Sequence, residues 1–161
     1  MILLQKTEKY FFGNGGDTVK ISTKGRYALR LVIDLAMHAD EGFVTLKDIA
    51  SRQNISKKYL EQIVPMLNRS GILKTNRGYQ GGYKLARSPE NCTVGEILKV
   101  TEGDLAPVSC LENEVNECPR AGECMTLFIW EELHKRTTDY LNSITVKDVI
   151  DRANNNNDYV I

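Results

Sequence analysis

The chain lacks any apolar run that approaches the roughly 18–20 residues needed to span a bilayer. Its start lacks a signal-peptide pattern, because Lys6, Glu8 and Lys9 interrupt residues 1–16 and no sustained apolar stretch is present. Hydrophobic residues make up 42 % and charged residues 26 % of the 161 positions, as in a protein with a buried core. We therefore expect a cytoplasmic protein without a membrane partner.

The chain also lacks a net charge, because 21 basic residues balance 21 acidic ones. That balance hides an uneven distribution: residues 19–88 hold 13 basic and 5 acidic side chains, whereas residues 89–161 hold 6 and 14. A basic first half and an acidic second half indicate two tasks, with a polyanion as the partner of the first. The alternative is chance unevenness in a solvated surface.

Signals of an enzyme are missing as well. No Gly-Lys-Ser or Gly-Lys-Thr follows the glycines at positions 78, 81 and 82, so they do not form a nucleotide-binding loop. A Cys110 nucleophile with His134 as its base would lie in an acidic neighbourhood, which does not stabilise a thiolate, and no base is apparent at short range. We expect a protein that is not an enzyme.

Hydrophobic spacing predicts a mainly α-helical chain with one small β-hairpin. The candidate helices span residues 24–39, 45–53, 56–69, 93–100 and 124–141, with a short last helix from 145, and the candidate strands span 72–75 and 82–85. Pro65 lies inside the third helix and should kink it or end it early. Gly71 suits the position just after that helix.

Two short helices followed by a basic hairpin predict a winged helix-turn-helix. Its third helix would enter the major groove of DNA, with side chains of its first turns at base edges and phosphates, and Arg77 of the hairpin would enter the minor groove. The candidate DNA-binding residues are Ser56, Lys57, Lys58, Tyr59, Glu61, Gln62, Arg77, Gly78, Gln80 and Gly81. A helical bundle with a surface hairpin is the alternative, but it leaves the basic excess unexplained.

Four blocks of sequence resemble the IscR-like family of transcriptional regulators. They are, in order, the run from Lys20 to Leu29, the run Tyr59-Leu60-Glu61-Gln62, the hairpin run from Arg77 to Tyr83, and the run Thr93-Val94-Gly95-Glu96. The resemblance covers residues 20–153. It implies a homodimer that binds palindromic double-stranded promoter DNA, with a long C-terminal helix swapped across the partner. It also implies that Ser56, Lys58, Glu61, Gln62 and Arg77 contact DNA.

These patterns divide the chain into five parts. Residues 1–18 form a leader, which is either a disordered arm or a product of the gene-start assignment, with Val19 as the true start. Residues 19–103 form the DNA-binding domain, residues 104–124 a cysteine-containing sensor loop, residues 125–153 the dimerisation helix with a short terminal helix, and residues 154–161 a polar tail.

The loop holds Cys110, Cys118 and Cys124, a density of thiols that suits an iron–sulfur cluster or another soft metal. The family resemblance implies a 2Fe-2S cluster. However, the family's cluster-binding branch has a histidine three residues after the third cysteine, where this chain has Leu127, and its first cysteine pair is two residues closer. A fourth ligand would have to come from elsewhere, and His134 is a poor substitute.

Alternatives to a cluster therefore remain open. Four glutamates surround the triad, at positions 112, 114, 117 and 123, and should raise thiol pKa values and favour a divalent cation such as zinc. A thiol/disulfide switch, no ligand at all, or sensing through a regulatory protein partner in a regulator of cysteine or sulfur metabolism are further possibilities. Cys92, beside Thr93, is expected to be a buried small side chain.

Overall fold

The computed structural model describes residues 21–78, 81–113 and 115–157 of the chain. These residues form six α-helices and one antiparallel hairpin. The elements in chain order are α1 (Thr23–Met37), α2 (Leu46–Gln53), α3 (Lys57–Arg69), β1 (Leu73–Asn76), β2 (Gly82–Leu85), α4 (Val94–Glu102), α5 (Leu127–Ser143) and α6 (Val146–Asn157). The predicted mainly α architecture with a hairpin wing is confirmed. No helix within these ranges is long and apolar enough to cross a bilayer.

Side-chain caps set the starts of several helices. The Thr93 hydroxyl accepts the Glu96 N–H (3.2 Å), and the Glu96 carboxylate accepts the Thr93 N–H (3.1 Å). Thr145 and Asp148 form the same reciprocal pair before α6, at 3.0 and 2.8 Å. Each pair satisfies two backbone donors that the first helical turn leaves free. Thr45 caps α2 in the same position by accepting the Asp48 N–H (3.3 Å).

Helix α3 ends at Arg69, as the predicted range has it, so Pro65 does not end the helix early: the proline removes one hydrogen bond on an exposed face while the opposite face stays buried. The ends of α5 and α6 differ from the sequence prediction. Helix α5 begins at Leu127 rather than Cys124 because Cys124 has an extended backbone (ψ 101°). Helix α6 extends through Asn157, so residues 154–157 are helical rather than an irregular tail.

The core lies between α1, α2, α3, α4 and the hairpin. Its largest fully buried apolar side chains are Leu31, Val32, Leu35, Ile49, Leu60, Ile63, Leu67, Ile72, Ile97, Leu98 and Val146. Val146 comes from α6, which returns to the segment at the start of α4: the Val146 N–H donates to the Cys92 carbonyl (2.8 Å), and the Val94 N–H donates to the Ile144 carbonyl (2.9 Å). Helices α2 and α3 and the hairpin are therefore fixed by one core, to which the C-terminal helix contributes.

Candidate nucleic-acid interface and cysteine loop

Helix α3 presents a polar face at its N-terminal end. Ser56 is its N-cap and accepts the Tyr59 N–H (3.2 Å), which orients the first turn. An apolar stripe holds the opposite face against the core and consists of Leu60, Ile63, Val64 and Leu67. The exposed side chains of the first turns are Lys57, Lys58, Glu61 and Gln62. Of the six residues at this end of α3 that were predicted to contact DNA, the structure therefore exposes five together on one surface: Ser56, Lys57, Lys58, Glu61 and Gln62.

Tyr59 differs from its neighbours because its ring is half-buried. It packs edge-on against Tyr27 of α1, with ring centroids 5.2 Å apart and an angle of 76° between the planes. An aromatic pair in this geometry contributes about 0.5–1.5 kcal/mol beyond the area that it buries. Tyr59 thus anchors the first turn of α3 to α1, whereas its neighbours Lys58 and Gln62 remain exposed.

The wing places its basic tip beside α3. Strands β1 and β2 pair from Leu73 with Leu85 to Asn76 with Gly82, and Arg77 and Gly78 follow β1 as exposed residues. Gly78 has φ +122°, a conformation that side chains disfavour. At Gly81 an added Cβ would lie 2.7 Å from the Asn76 carbonyl oxygen, so both glycines shape the tip. The predicted contact residue Gln80 lies outside the described residues.

A groove runs between α3 and the wing. Its walls include Lys57, Glu61 and Asn68 of α3 and Arg77 of the wing, and the Thr75 hydroxyl donates to the Asn68 side-chain oxygen (3.0 Å) across it. Lys47, near the N-terminus of α2, also lines this groove, although the sequence analysis did not single it out. The signal was available, since the predicted helix over residues 45–53 places Lys47 in the first turn of a helix-turn-helix.

A buried ion pair holds α2 against α1. Asp34 is 1 % exposed, and its carboxylate accepts hydrogen bonds from Arg52 (2.6 Å) and from the Gln53 side chain (2.8 Å). Burial alone would raise the pKa of Asp34, but the bonds from Arg52 and Gln53 and the charge of Arg52 bring it below its ordinary value. Arg30 binds the Gln53 side chain (3.1 Å), which extends the network along α1. These contacts fix the helix that precedes α3.

The cysteine loop leaves its three thiols accessible. Cys110 and Cys118 are half-buried and line one small cavity, whereas Cys124 is exposed just before α5. Thiolates are the usual ligands of iron–sulfur groups, so the donor chemistry fits such a group. Among the described residues, however, no three histidine, cysteine or acidic side chains are gathered closely enough to hold a metal ion. Binding all three cysteines would require the loop to close.

The expectations for Cys124, Cys92 and His134 have different outcomes. The expected rise in thiol pKa is wrong for Cys124: its pKa is lowered by the Thr126 side chain, 3.5 Å away, and by the Thr126 and Leu127 N–H groups at the start of α5. Cys92 is 1 % exposed and burial raises its pKa, as expected for a buried small side chain. His134 contacts Asp104, with Nε2 2.9 Å from Oδ1, rather than serving the thiols.

Helix α5 has no buried residue in this single chain. Its large exposed apolar side chains are Phe128 (68 % exposed), Ile129 (44 %), Leu133 (44 %) and Tyr140 (62 %). Exposed apolar surface of this extent on one helix is typical of a protein–protein interface. The surface matches the long helix for which the sequence analysis predicted a dimerisation role.

Comparison with known proteins gives a consistent family. The model of the Rrf2 family, described as iron-dependent transcriptional regulators, matches residues 21–152. The chain is 40 % identical over 132 residues to the protein named rrf2 of Nitratidesulfovibrio vulgaris, covering 82 % of this chain and 87 % of the relative.

Two solved structures have a similar fold. The structure of CymR, the global cysteine regulator of B. subtilis, has a TM-score of 0.65 at 38 % identity, covering 81 % of this chain and 95 % of that one. The structure of T. potens IscR has a TM-score of 0.65 at 40 % identity, covering 83 % and 88 %. The related proteins are named as transcriptional regulators and not as enzymes, which confirms the predicted class.

Proposed function

The chain belongs to the Rrf2 family of transcriptional regulators, and on this premise we propose that it is a homodimer that binds palindromic promoter DNA and senses iron–sulfur or redox status through its cysteine loop. The family carries the DNA-binding role. The observation that carries the interface is the exposed polar face of α3 beside the basic wing tip. We place the protein in the cytoplasm, where a regulator has access to the chromosome.

The reading role follows from side-chain chemistry. Gln62 can form two hydrogen bonds with an adenine edge, Glu61 can accept from cytosine, and Lys58 can pair with a phosphate. Arg77 at the wing tip can enter a narrow minor groove, where the negative potential is strongest. A half-site read in this way repeats about one helical turn, roughly 34–36 Å, from its partner in a palindrome. The exposed apolar face of α5 supplies the surface for the second subunit.

DNA binding is tested by fluorescence anisotropy with promoter duplexes at several salt concentrations. We expect affinity to fall steeply with salt, because lysine and arginine contacts to phosphates release counterions. Lys58→Ala should reduce the salt slope by about one and weaken all sequences alike, whereas Gln62→Ala should cost about 1–3 kcal/mol at one base position. Salt-independent binding or no binding would overturn the interface.

The sensing proposal is based on the loop. Cys110, Cys118 and Cys124 would hold an iron–sulfur group, with the fourth ligand from outside the triad, and that group would supply reversible redox chemistry when bound. The loop joins the DNA-binding unit to α5, so loop closure would alter the path between them.

A second candidate is a thiol switch without a cluster, alone or with a protein partner, in a regulator of cysteine or sulfur metabolism. Cys124 favours it, because this thiol is exposed and its pKa is lowered by the Thr126 side chain and by N–H groups at the start of α5. Thiolates are the reactive form of cysteine, so oxidation would occur preferentially there.

Anaerobic purification followed by an absorption spectrum and iron, sulfide and zinc analysis separates the candidates. Visible charge-transfer bands with bound iron and sulfide would support the cluster, and they should disappear in Cys110→Ala, Cys118→Ala and Cys124→Ala variants. Cys92→Ala is the matched control, since Cys92 is buried away from the loop. A colourless, iron-free protein after reconstitution would overturn the cluster and favour zinc or the thiol switch.

A further inference from the structure

The residues at the entrance to the cysteine loop contact both the long helix α5 and the DNA-reading unit, by which we mean helices α1 to α4 with the hairpin. Glu102 is the last residue of α4, Gly103 ends that helix, and Asp104 begins the loop. Gly103 has φ +83°, a conformation that favours glycine, and its N–H donates to the Lys99 carbonyl (3.1 Å). The chain therefore turns sharply between two acidic side chains that point to different partners.

Glu102 holds the beginning of α1. Its carboxylate accepts the Ser22 hydroxyl (2.7 Å) and the Ser22 N–H (3.2 Å), and Ser22 is the N-cap of α1. The close approach depends on Gly25, where an added Cβ would lie 2.5 Å from the Glu102 carboxylate oxygen. Charge-assisted hydrogen bonds of this kind are stronger than neutral ones. One side of the turn is thus fixed to the DNA-reading unit.

Asp104 holds α5. Its Oδ1 atom lies 2.9 Å from His134 Nε2, and both side chains are partly buried, at 34 % and 24 % exposure. They line a cavity between α4 and α5, and Leu111, the residue after Cys110, lines the same cavity. The other side of the turn is thus fixed to the long helix, next to the loop that carries the thiols.

We propose that Glu102 and Asp104, through Ser22 and His134, are positioning residues that set the direction of α5 relative to the DNA-reading unit. This inference rests on the proposed function, since only in a dimer joined through α5 does that direction set the distance between two reading units. Because the cysteine loop begins at Asp104, a rearrangement of the loop would disturb the Asp104–His134 contact directly. It would also disturb the Glu102–Ser22 contact, which lies two residues before the loop. None of these four side chains is required to touch DNA.

The test measures spacing preference rather than affinity alone. Operator duplexes are selected from a random library with the wild-type full-length protein, and each is compared with the same duplex carrying one extra central base pair. We expect the wild type to prefer the original spacing, because the two reading units are held about one helical turn apart. His134→Leu and Glu102→Gln should lower the ratio of the two affinities by about fivefold or more, within the usual range of coupling between sites.

Three variants guard against a merely structural effect. His134→Gln keeps a donor at the end of the side chain and should retain the wild-type ratio. Gly25→Ala should act like Glu102→Gln, since it displaces the same carboxylate. Arg136→Ala is the matched control: it removes an exposed pair with Glu132 (2.6 Å) on the same helix, away from this cavity, and should change nothing.

The outcomes separate this inference from the proposed function. A lower ratio with unchanged binding to an isolated half-site would support the positioning role. Variants that keep the wild-type ratio, or that weaken both duplexes equally, would overturn it while leaving the DNA-binding regulator intact. A wild type that binds DNA but ignores the inserted base pair would overturn the proposed dimer geometry together with the positioning role.

Discussion

The DNA-reading unit and helix α5 bury apolar side chains in opposite ways. Helices α1, α2, α3 and α4 each contribute buried residues to one core, whereas the 17 residues of α5 contribute none. Phe128, Ile129 and Leu133 of α5 remain 44–68 % exposed. The reading unit is therefore completed by its own chain, whereas α5 is a surface that a second copy of the chain would complete.

The same substitution in the two regions should give the largest contrast. Leu60→Ala removes a fully buried side chain from α3 and should lower the free energy of unfolding by about 2–5 kcal/mol. Leu133→Ala on α5, at 44 % exposure, should weaken the dimer and have an effect within about 0.5 kcal/mol on the separated subunit.

Urea unfolding at several protein concentrations checks this pair. Because a dimer interface makes apparent stability depend on concentration, the Leu133→Ala effect should shrink on dilution and the Leu60→Ala effect should persist. Equal losses for both variants in the dilute protein would show that α5 packs on its own chain, and would remove the distinction between the two regions.

The next largest contrast is expected between ion pairs of the two regions, in the free energy of unfolding that is lost when each pair is broken. Asp34 is buried and accepts charge-assisted bonds from Arg52 and Gln53, so Asp34→Asn should cost about 1–3 kcal/mol. The α5 pair of Lys135 and Asp139 is exposed on both sides and screened by solvent, so Asp139→Asn should have a much smaller effect on the free energy of unfolding than Asp34→Asn.

The pH dependence gives the sign of the Asp34 effect. The folded-state pKa of Asp34 is lowered by Arg52 and Gln53 against the opposing effect of burial, so its stabilisation is fully present above the unfolded-state value of about 3.9. It is lost as the pH falls from there through the lower folded-state pKa. Stability curves of wild type and Asp34→Asn should therefore converge in acid, and curves that stay parallel would contradict this assignment.

Much of the reading unit was predictable from local patterns. The caps at Thr93 and Thr145, the buried stripe that contains Leu60, and the turn at Gly71 depend on residues close together in sequence. The contacts at Glu102 and His134 were not predictable, because they join residues 80 and 30 positions apart, Ser22 with Glu102 and Asp104 with His134. Helix α3 reaches Arg69, as its predicted range has it, and does not end early at Pro65, because burial of the α3 stripe outweighs one lost hydrogen bond.

The same limit applies to the sensor loop. Spacing identified the three thiols as candidate ligands, but the acidic composition around them predicted the wrong direction for the pKa of Cys124. The Thr126 side chain and the adjacent backbone N–H groups lower it, and these act over a few ångströms, whereas the glutamates are distributed along the loop. Local hydrogen bonds therefore lower the pKa of this thiol, which the composition of the loop did not indicate.

Removal of one positive charge should affect DNA affinity in the reading unit but not on α5, and this difference should be smaller than the differences in stability above. Arg77→Ala at the wing tip should weaken DNA binding by about 1–3 kcal/mol. Arg136→Ala on α5 removes the same charge, which is paired with Glu132 (2.6 Å), and should leave DNA affinity unchanged. Anisotropy titrations at one fixed salt concentration compare them. Equal losses would mean that net charge, rather than the wing, governs binding.

Helix caps should give the smallest effect and show where the boundary between the regions lies. Thr93→Ala and Thr145→Ala each remove a reciprocal cap, at an expected cost of about 0.5–2 kcal/mol in the free energy of unfolding. Although Thr145 follows α5 in the chain, Val146 beside it is fully buried in the common core. Both variants should therefore lower the same unfolding transition, at every protein concentration.

Thr138→Ala on α5 is the control, because Thr138 is an exposed helix-interior residue and alanine favours helices. Urea unfolding and hydrogen exchange of α6 together check the result. If Thr145→Ala instead behaved like an α5 variant, with a loss that vanished on dilution, α6 would belong to the subunit interface. If the loss of stability in Thr145→Ala is independent of protein concentration, α6 belongs to the same folding unit as α1 to α4. Helix α5 would then connect two segments of that one unit, because the chain returns to the core at Val146.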